Sequence, residues 1–597
     1  MRPLTPVQAL CLAVALPVAA QDDNTGVAFD VTRIQIQGQA VGSLSSRQLL
    51  TSVDTLAGPA LQDAPIGNNW ELLARLPGVQ LTNFNQGTTS GKPSFRGFNG
   101  EGEVNAVKLL IDGVPSNSND GNMPYLDLLA MPLALQAVTV VRGTNDARYG
   151  LHNIAGNLEL LTRVGGNATE LRAGAGAWGK ADAQLAVDRE SGGLTQNYSL
   201  GLRHADGWRD HGASDRASLA GQWTYAPAGQ DLRFGLALRG HRARAEEPGY
   251  LTDAESAANP RQSTPVSASD GGERRVGQTV LSAEGGLTGA LAWRALVYVN
   301  RFADERWVRF SATASQQERD TDETHRGVRA IVSWRPDAAL AVEGGVDTER
   351  QRNESRRYTT TERMRVAQTR DQAWSLNVSG AFVQAVWRPL PALKLVPGYR
   401  VDRVSGSFDN RLAGTQAPAN DYGAIGQPKL SAVWSPSAAL SAYANWGRTF
   451  QIGVGAASFK IPPRTTDLAP SINDGVELGL KFAAGEAFDG RVAAWRQTAT
   501  DEVYRDLNNP SGDSINIGAT RRRGLDVQLR TRPVAGVEGF VTVGLQEAVI
   551  TTPNPAAPAT LGREVDHVPR HLFNAGLAWQ AQPALRLSAW LQGRGSY

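Results

Sequence analysis

From Leu171 to Tyr597 the chain keeps returning to one pattern, an apolar residue followed by a polar or small one. In Leu232–Arg239, Leu232, Phe234, Leu236 and Leu238 alternate with Arg233, Gly235, Ala237 and Arg239. Leu440, Ala442, Ala444 and Trp446 alternate with Ser441, Tyr443, Asn445 and Gly447, and Leu525, Val527 and Leu529 with Asp526, Gln528 and Arg530. A period of two with one apolar face is a half-buried strand. Its apolar face meets either a second sheet, as in a soluble sandwich, or lipid, as in a membrane barrel whose polar face lines the lumen. Link lengths favour lipid. Short links such as Pro227-Ala228-Gly229, Arg335-Pro336-Asp337 and Ser435-Pro436-Ser437 alternate with long polar stretches at Glu246–Arg275, Arg350–Gln372 and Ser405–Gln427. Trp223, Trp334, Trp387, Trp434, Trp446 and Trp579 are expected near strand ends, as interfacial girdles. After the N-terminus no run reaches the roughly 18–20 apolar residues of a membrane helix. A spanning structure must therefore be a closed barrel, the other form that pairs every backbone group within lipid.

The first twenty residues read as a secretory signal. Arg2 gives the positive start, Val7–Val18 the apolar stretch, and Val18-Ala19-Ala20 a small-residue cleavage site before Gln21. The only cysteine, Cys11, falls inside it, so disulfides and thiolate metal sites are not expected in the mature chain. A formal charge of +2, from 60 basic and 58 acidic residues well mixed, argues against a nucleic-acid partner.

Between tail and barrel, residues 46–165 read as an α/β domain. Trp70–Leu76 carries apolar residues at helical spacing and stops at Pro77-Gly78. Val107–Ile111 is a buried strand ended by the turn pair Asp112-Gly113, and Leu135–Val141 is another, ended by Arg142-Gly143. The order LLARLPGV, SFRGF, LLIDGVP, VTVVRG, ARYG and LLTR runs from Leu72 to Arg163. No catalytic constellation is visible. Asp112 is better read as part of a turn than as an acid–base group. His567 and His571 are separated by Pro569, which argues against a helical ligand pair, and no metal site is expected.

These motifs, in this order and spacing, resemble those of TonB-dependent outer-membrane receptors. GVELGLKF (475–482), AAWRQTATDEV (493–503), NIGATRRRGLDVQL (516–529) and HVPRHLFNAGLAW (567–579) are similar to that family's late strands. The resemblance implies a membrane β-barrel: a large antiparallel transmembrane barrel of the 22-stranded type, with an N-terminal α/β plug domain in its lumen. The expected division is a signal at 1–20, a periplasmic tail at 21–45, the plug at 46–165 and the barrel at 166–597. About 20 strand-like runs are countable against 22 in plugged transporters, so the sequence is expected to be C-terminally incomplete, lacking about two strands.

The resemblance further implies energised import. TonB, driven by its inner-membrane complex, would pair with an extended box as an added strand, which needs β-propensity more than exact side chains. Phe29, Asp30, Val31, Thr32, Arg33, Ile34, Gln35 and Ile36 fit that box; the alternative is a tail with chance β-residues. Arg96 and Arg142 match plug arginines that face barrel acids in the family, here Glu477 and Asp526. The expectation is a plug–barrel latch of these four, with Arg163 as a further member, against separate solvated ion pairs in a wet lumen. Plug-apex residues expected to meet ligand are Asn83, Phe84, Asn85, Phe98, Asn99, Glu101, Glu103, Asn117, Asn119 and Tyr125. The expected cargo is a ferric siderophore, the family's commonest; cobalamin, a quinone cofactor or an oligosaccharide remain alternatives. No cofactor is expected, with iron present only within the transported complex, and the protein is expected to be a monomer and not an enzyme. A signalling receptor would need a folded N-terminal domain, for which about 25 residues of tail are too few. A passive porin would not need a plug.

Overall fold

The computed structural model describes residues 44–596, apart from 59–60, 62–68, 84–87, 89–90, 99–105, 130, 312, 486, 506–513 and 532–533. The expected signal and the box Phe29–Ile36 lie outside the described residues.

The N-terminal domain is built on a five-stranded sheet. Its strands are β1 (Val53–Ala57), β4 (Val107–Ile111), β5 (Val114–Pro115), β6 (Leu135–Arg142) and β7 (Gly156–Thr162); β2 (Val79–Thr82) and β3 (Lys92–Phe95) form a separate hairpin. The sheet order is β1-β6-β7-β4-β5, with β4 and β7 parallel and the other neighbours antiparallel. All five residues of β4 are buried, because the sheet is covered on both faces. Leu72, Leu73, Leu76, Phe95, Leu109, Ile111, Leu126, Val138 and Leu158 share one core. The expected helix at Trp70–Leu76 is instead a 3-10 helix, Asn69–Arg75. Pro77-Gly78 stops it after little more than two turns, and a segment this short gains little by full α-helical winding.

From Thr169 onward the chain forms one large antiparallel sheet that closes into a barrel. Among the described residues twenty strands make up the closed order, against the 22 expected. One of the twenty, Thr415–Pro418, is a four-residue segment that pairs with Leu393–Asn410 alongside Ile425–Ser437. Leu219, Leu281, Leu478 and Leu577 are exposed on the outer wall, while Gln278, Asn300, Gln384, Gln427, Asn473 and Asn574 are buried on the inner one. This is the alternation of a barrel with an apolar outside and a polar lumen.

The links alternate in length, with two differences from expectation. Ser405–Gln427 is partly strand, up to Asn410 and again at Thr415–Pro418. Arg350–Gln372 is no loop: Leu340–Thr361 and Met364–Leu390 run through it and turn at Glu362-Arg363. Strands that rise beyond the lipid have water on their outer face, so they lose the alternation that marks them. Trp223, Trp334, Trp387, Trp434 and Trp579 sit near strand ends on the short-turn rim. Trp446 departs from that pattern, lying mid-strand in Leu440–Gln451 with its side chain outward.

The plug lies in the lumen. Inward side chains from strands around the barrel bond to it: Asn300 Nδ2 donates to the Pro115 carbonyl (2.8 Å), Lys429 Nζ to that of Thr144 (2.7 Å), Gln497 Nε2 to that of Ile154 (3.0 Å) and Arg522 Nε to that of Gly97 (3.0 Å). The Pro77-Gly78 turn comes close enough to the wall that a Cβ on Gly544 would stand 2.9 Å from Gly78 Cα. Both positions need glycine, Gly78 also for its φ of +65°.

Candidate functional site

The plug–barrel interface is where the conspicuous charges meet. Arg96 and Gly97 both take left-handed backbone conformations, φ 59° and 72°, at the tip after β3. Such a conformation is costly for arginine and persists only where its surroundings hold it. Here the guanidinium pairs with Glu477 and lies 5.1 Å from the ring centroid of Trp495. Glu477 also accepts from Ser52 Oγ and from Tyr443 Oη (2.7 Å), so both of its oxygens are bound. Arg96 and Glu477 have side chains 5% and 3% exposed, so this pair is desolvated.

Arg142 does not join that pair and does not take Asp526. It bonds to Asp54 and to the Pro77 carbonyl. The reason is sheet register: Val141 faces Val53 across β6 and β1, which sets Asp54 beside Arg142 inside the plug. The barrel enters through Arg491, whose Nη2 lies 2.9 Å from the same Asp54 oxygen. Burial alone would raise the Asp54 pKa, but Arg142 and Arg491 outweigh it and hold the carboxyl below its usual range. Asp526 stands against the Pro77-Gly78 turn. Arg163 pairs with Asp188 and Glu170, each at 2.5 Å, beyond the end of β7.

Two contacts were not anticipated. Asp146 and Arg148 pair at 2.8 Å within the ARYG loop, and Asn157 Nδ2 donates to Asp146 (3.0 Å). Beside them Arg400 of the barrel bonds to Asp402, Asp347 and the Arg148 carbonyl. Arg148, Asp347 and Arg400, with Lys108, Tyr149 and Glu349, line a small charged cavity between plug and wall. The sequence carried the charges, but not the register that sets Asp347 beside Arg400.

The plug apex differs from expectation. Phe98 is buried beneath the Arg522 guanidinium (4.0 Å), and Tyr125 is fully buried in the plug core, so neither offers an aromatic surface to a ligand. Asn117 is a staple within the plug, bonded to Leu109 N, the Val107 carbonyl and the Gly121 carbonyl. Its side chain replaces backbone partners that a short loop cannot supply. Asn83 is exposed. Phe84, Asn85, Asn99, Glu101 and Glu103 lie outside the described residues. Asn119 sits at the contact between apex and wall. Its backbone N–H donates to Glu323 (2.9 Å) and its amide to Gln351 (2.7 Å), and its carbonyl oxygen accepts from Trp374 Nε1 (2.7 Å). Glu323, Asn353, Trp374 and Phe408 stand side by side on four strands, with Trp374 and Phe408 stacked at 6.3 Å. A small change at this row can therefore reach the plug through one residue.

The comparisons with known proteins agree with this arrangement. Residues 45–157 match the TonB-dependent receptor plug domain, and residues 140–597 match the TonB-dependent receptor-like β-barrel. Among solved structures the chain is similar to the ferric citrate transporter FecA in its unliganded form, with a TM-score of 0.77 at 18% identity over 91% of this chain and 85% of that one. It is similar to the siderophore receptor PiuA from Acinetobacter baumannii, with a TM-score of 0.76 at 14% identity over 93% and 89%. It also resembles the ferric yersiniabactin uptake receptor FyuA from Yersinia pestis, with a TM-score of 0.75 at 16% identity over 93% and 87%. At these identities the likenesses establish the fold. The two family matches together run from the plug through the barrel, and the chain belongs to the TonB-dependent receptors, plugged β-barrels of the outer membrane.

Proposed function

We propose that this receptor imports a ferric siderophore across the outer membrane, with the work done through TonB. The observation that carries the reading is a folded plug held across the lumen by buried ion pairs, Arg96–Glu477 and Asp54–Arg491. Breaking a buried pair by withdrawing one partner costs about 3–5 kcal/mol. Passage past such a plug calls for mechanical work rather than diffusion. Phe29–Ile36 is the segment that TonB would take as an added strand. Support for the cargo is that the similar structures include a ferric citrate transporter, a siderophore receptor and a ferric yersiniabactin uptake receptor. In this reading the protein acts as a monomer, performs no catalysis, and meets iron only inside the transported complex.

The test is uptake of radiolabelled iron by iron-starved cells whose only such receptor is this one, presented with a panel of ferric chelates. Energised uptake of at least one chelate, lost when TonB is absent, is expected. Growth dependence on cobalamin, a quinone or an oligosaccharide, with no iron uptake, would move the cargo to another class.

A further inference from the structure

Five arginines stand together on the outer wall of the barrel, towards its long-link end. They are Arg301 on Leu291–Val308, Arg326 on Gln316–Trp334, Arg350 and Arg352 on Leu340–Thr361, and Arg403 on Leu393–Asn410. Alternation sets their direction. Asn300, Phe302, His325, Gln351 and Asp402 are buried on the inner side, so the residues next to them in sequence point outward, and all five arginines are exposed. Arg326 directly faces Arg350. In the row above, Thr324 stands between Arg301 and Arg352; in the row below, Thr348 faces Ser379, which faces Arg403.

Like charges placed directly opposite each other destabilise a sheet. The protein does not offset them here. None of the five makes a hydrogen bond, ion pair or ring contact with a described residue. Their neighbours Thr324, Thr348, Ser375, Asn377 and Ser379 are polar but uncharged. The next row up holds the acids Asp322 and Glu354. Glu354 is already held by Arg356 (3.0 Å) and Arg411 (3.3 Å), which leaves Asp322 against five guanidinium groups.

The height of the patch says what lies against it. Arg326 stands eight residues before Trp334 on one strand. That is about 27 Å along the strand at the usual rise, and about 20 Å of height at a tilt of 35–45°. Between the two levels Val328, Val332, Val346 and Val383 form an exposed apolar face. An outer-membrane barrel carries an apolar band about 25 Å tall with aromatic girdles at its edges. Trp334 marks the short-turn edge of that band, so the arginines stand at the opposite edge, where lipid heads lie. Five strands carry the patch, a width of about 19 Å at the usual strand spacing of about 4.8 Å. A single phosphate covers only part of it.

We propose that Arg301, Arg326, Arg350, Arg352 and Arg403 bind the phosphates of an outer-leaflet lipid whose head carries two of them, with its acyl chains on the valine face below. Guanidinium forks match phosphate oxygens in pairs, and basic clusters beside a bilayer edge attract anionic lipid. The patch faces lipid rather than the lumen, so it stands or falls independently of the cargo.

The test is native mass spectrometry of the purified receptor in detergent. The probes are a bisphosphorylated lipid A, the same lipid stripped of both phosphates, and inorganic pyrophosphate. Three proteins are compared: wild type, the triple variant Arg326→Gln, Arg350→Gln and Arg352→Gln, and Arg275→Gln, which removes an outer-face arginine that Glu273 already holds (2.5 Å). Heat-modifiable migration confirms that each barrel is folded. The wild type is expected to bind the bisphosphorylated lipid at least tenfold more tightly than the stripped one. The triple variant should bind the two alike, and Arg275→Gln should behave as the wild type. Equal binding of the two lipids by the wild type overturns the proposal without recourse to any variant. So does a phosphate preference that survives the triple substitution, or one that is lost in Arg275→Gln. Pyrophosphate bound as tightly as the lipid overturns the assignment to a lipid, because the site would then take free phosphate.

Discussion

Arg96 is the residue on which the interface turns. It is buried, conformationally costly, and shares Glu477 with Ser52 and Tyr443. Removing it strands a buried carboxylate, so Arg96→Ala should destabilise plug docking by about 3–5 kcal/mol. Hydrogen exchange across 44–58 and 92–98 should quicken while barrel strands stay protected; unchanged plug protection would show that the pair holds nothing. Asp54 gives a contrast with Asp526. Asp54→Asn breaks a buried bond to two arginines and should loosen the plug by a similar amount, whereas Asp526→Asn should change plug exchange little, since its carboxylate makes neither arginine's direct bond. Protonation follows the same logic. The Asp54 pKa is lowered by folding, so its contribution is fully present above the ordinary aspartate pKa of about 3.9 and is lost only as pH falls through the depressed value. Plug protection at 53–57 should therefore be flat between pH 7 and 5, and a marked loss in that window would contradict the assignment. The arginines were legible as motif residues, but their partners were not. A motif fixes where Arg142 lies along the chain, while only the pairing of β6 with β1 brings Asp54 to it across 88 residues.

At the level of elements, strands were readable where lipid or core imposes a repeating environment on them. Leu232–Glu246 shows its apolar residues outward, as alternation requires. Where strands rise into water, as in Leu340–Thr361 and Met364–Leu390, the outer face is free to be polar, and the period vanishes from the sequence while the hydrogen-bond ladder continues. Arg306, Arg319, Arg357 and Arg370 face one another on four consecutive strands, an alignment that one arginine per strand does not reveal until register sets it. The short Asn69–Arg75 turn and the buried Tyr125 show the opposite failure, in which local chemistry suggested a helix and an aromatic surface that the packed plug does not use. The tail before the plug makes its own prediction. A proline at Ile34 removes a backbone donor from the segment proposed to pair with TonB as an added strand. Ile34→Pro should abolish energised uptake while leaving ligand binding at the cell surface intact; normal uptake would refute the box at Phe29–Ile36.

The whole molecule is a barrel closed by a domain that fits it, and the proposed import requires that the domain move relative to the wall. A crosslink tests this directly. Thr144 lies in the plug and Gly475 on the wall, and a Cβ on Gly475 would stand 3.4 Å from Thr144 Cβ. That is near the Cβ separation of about 3.5–4.5 Å in disulfides. The sequence's only cysteine, Cys11, falls within the expected signal. The double variant Thr144→Cys with Gly475→Cys should therefore form one bond between plug and barrel. Oxidised, it should bind the cargo at the cell surface and import none; after reduction, uptake should return to that of the wild type. Uptake at the wild-type rate by a receptor shown to be fully crosslinked would contradict the account, because the cargo would then have crossed without the plug leaving the wall.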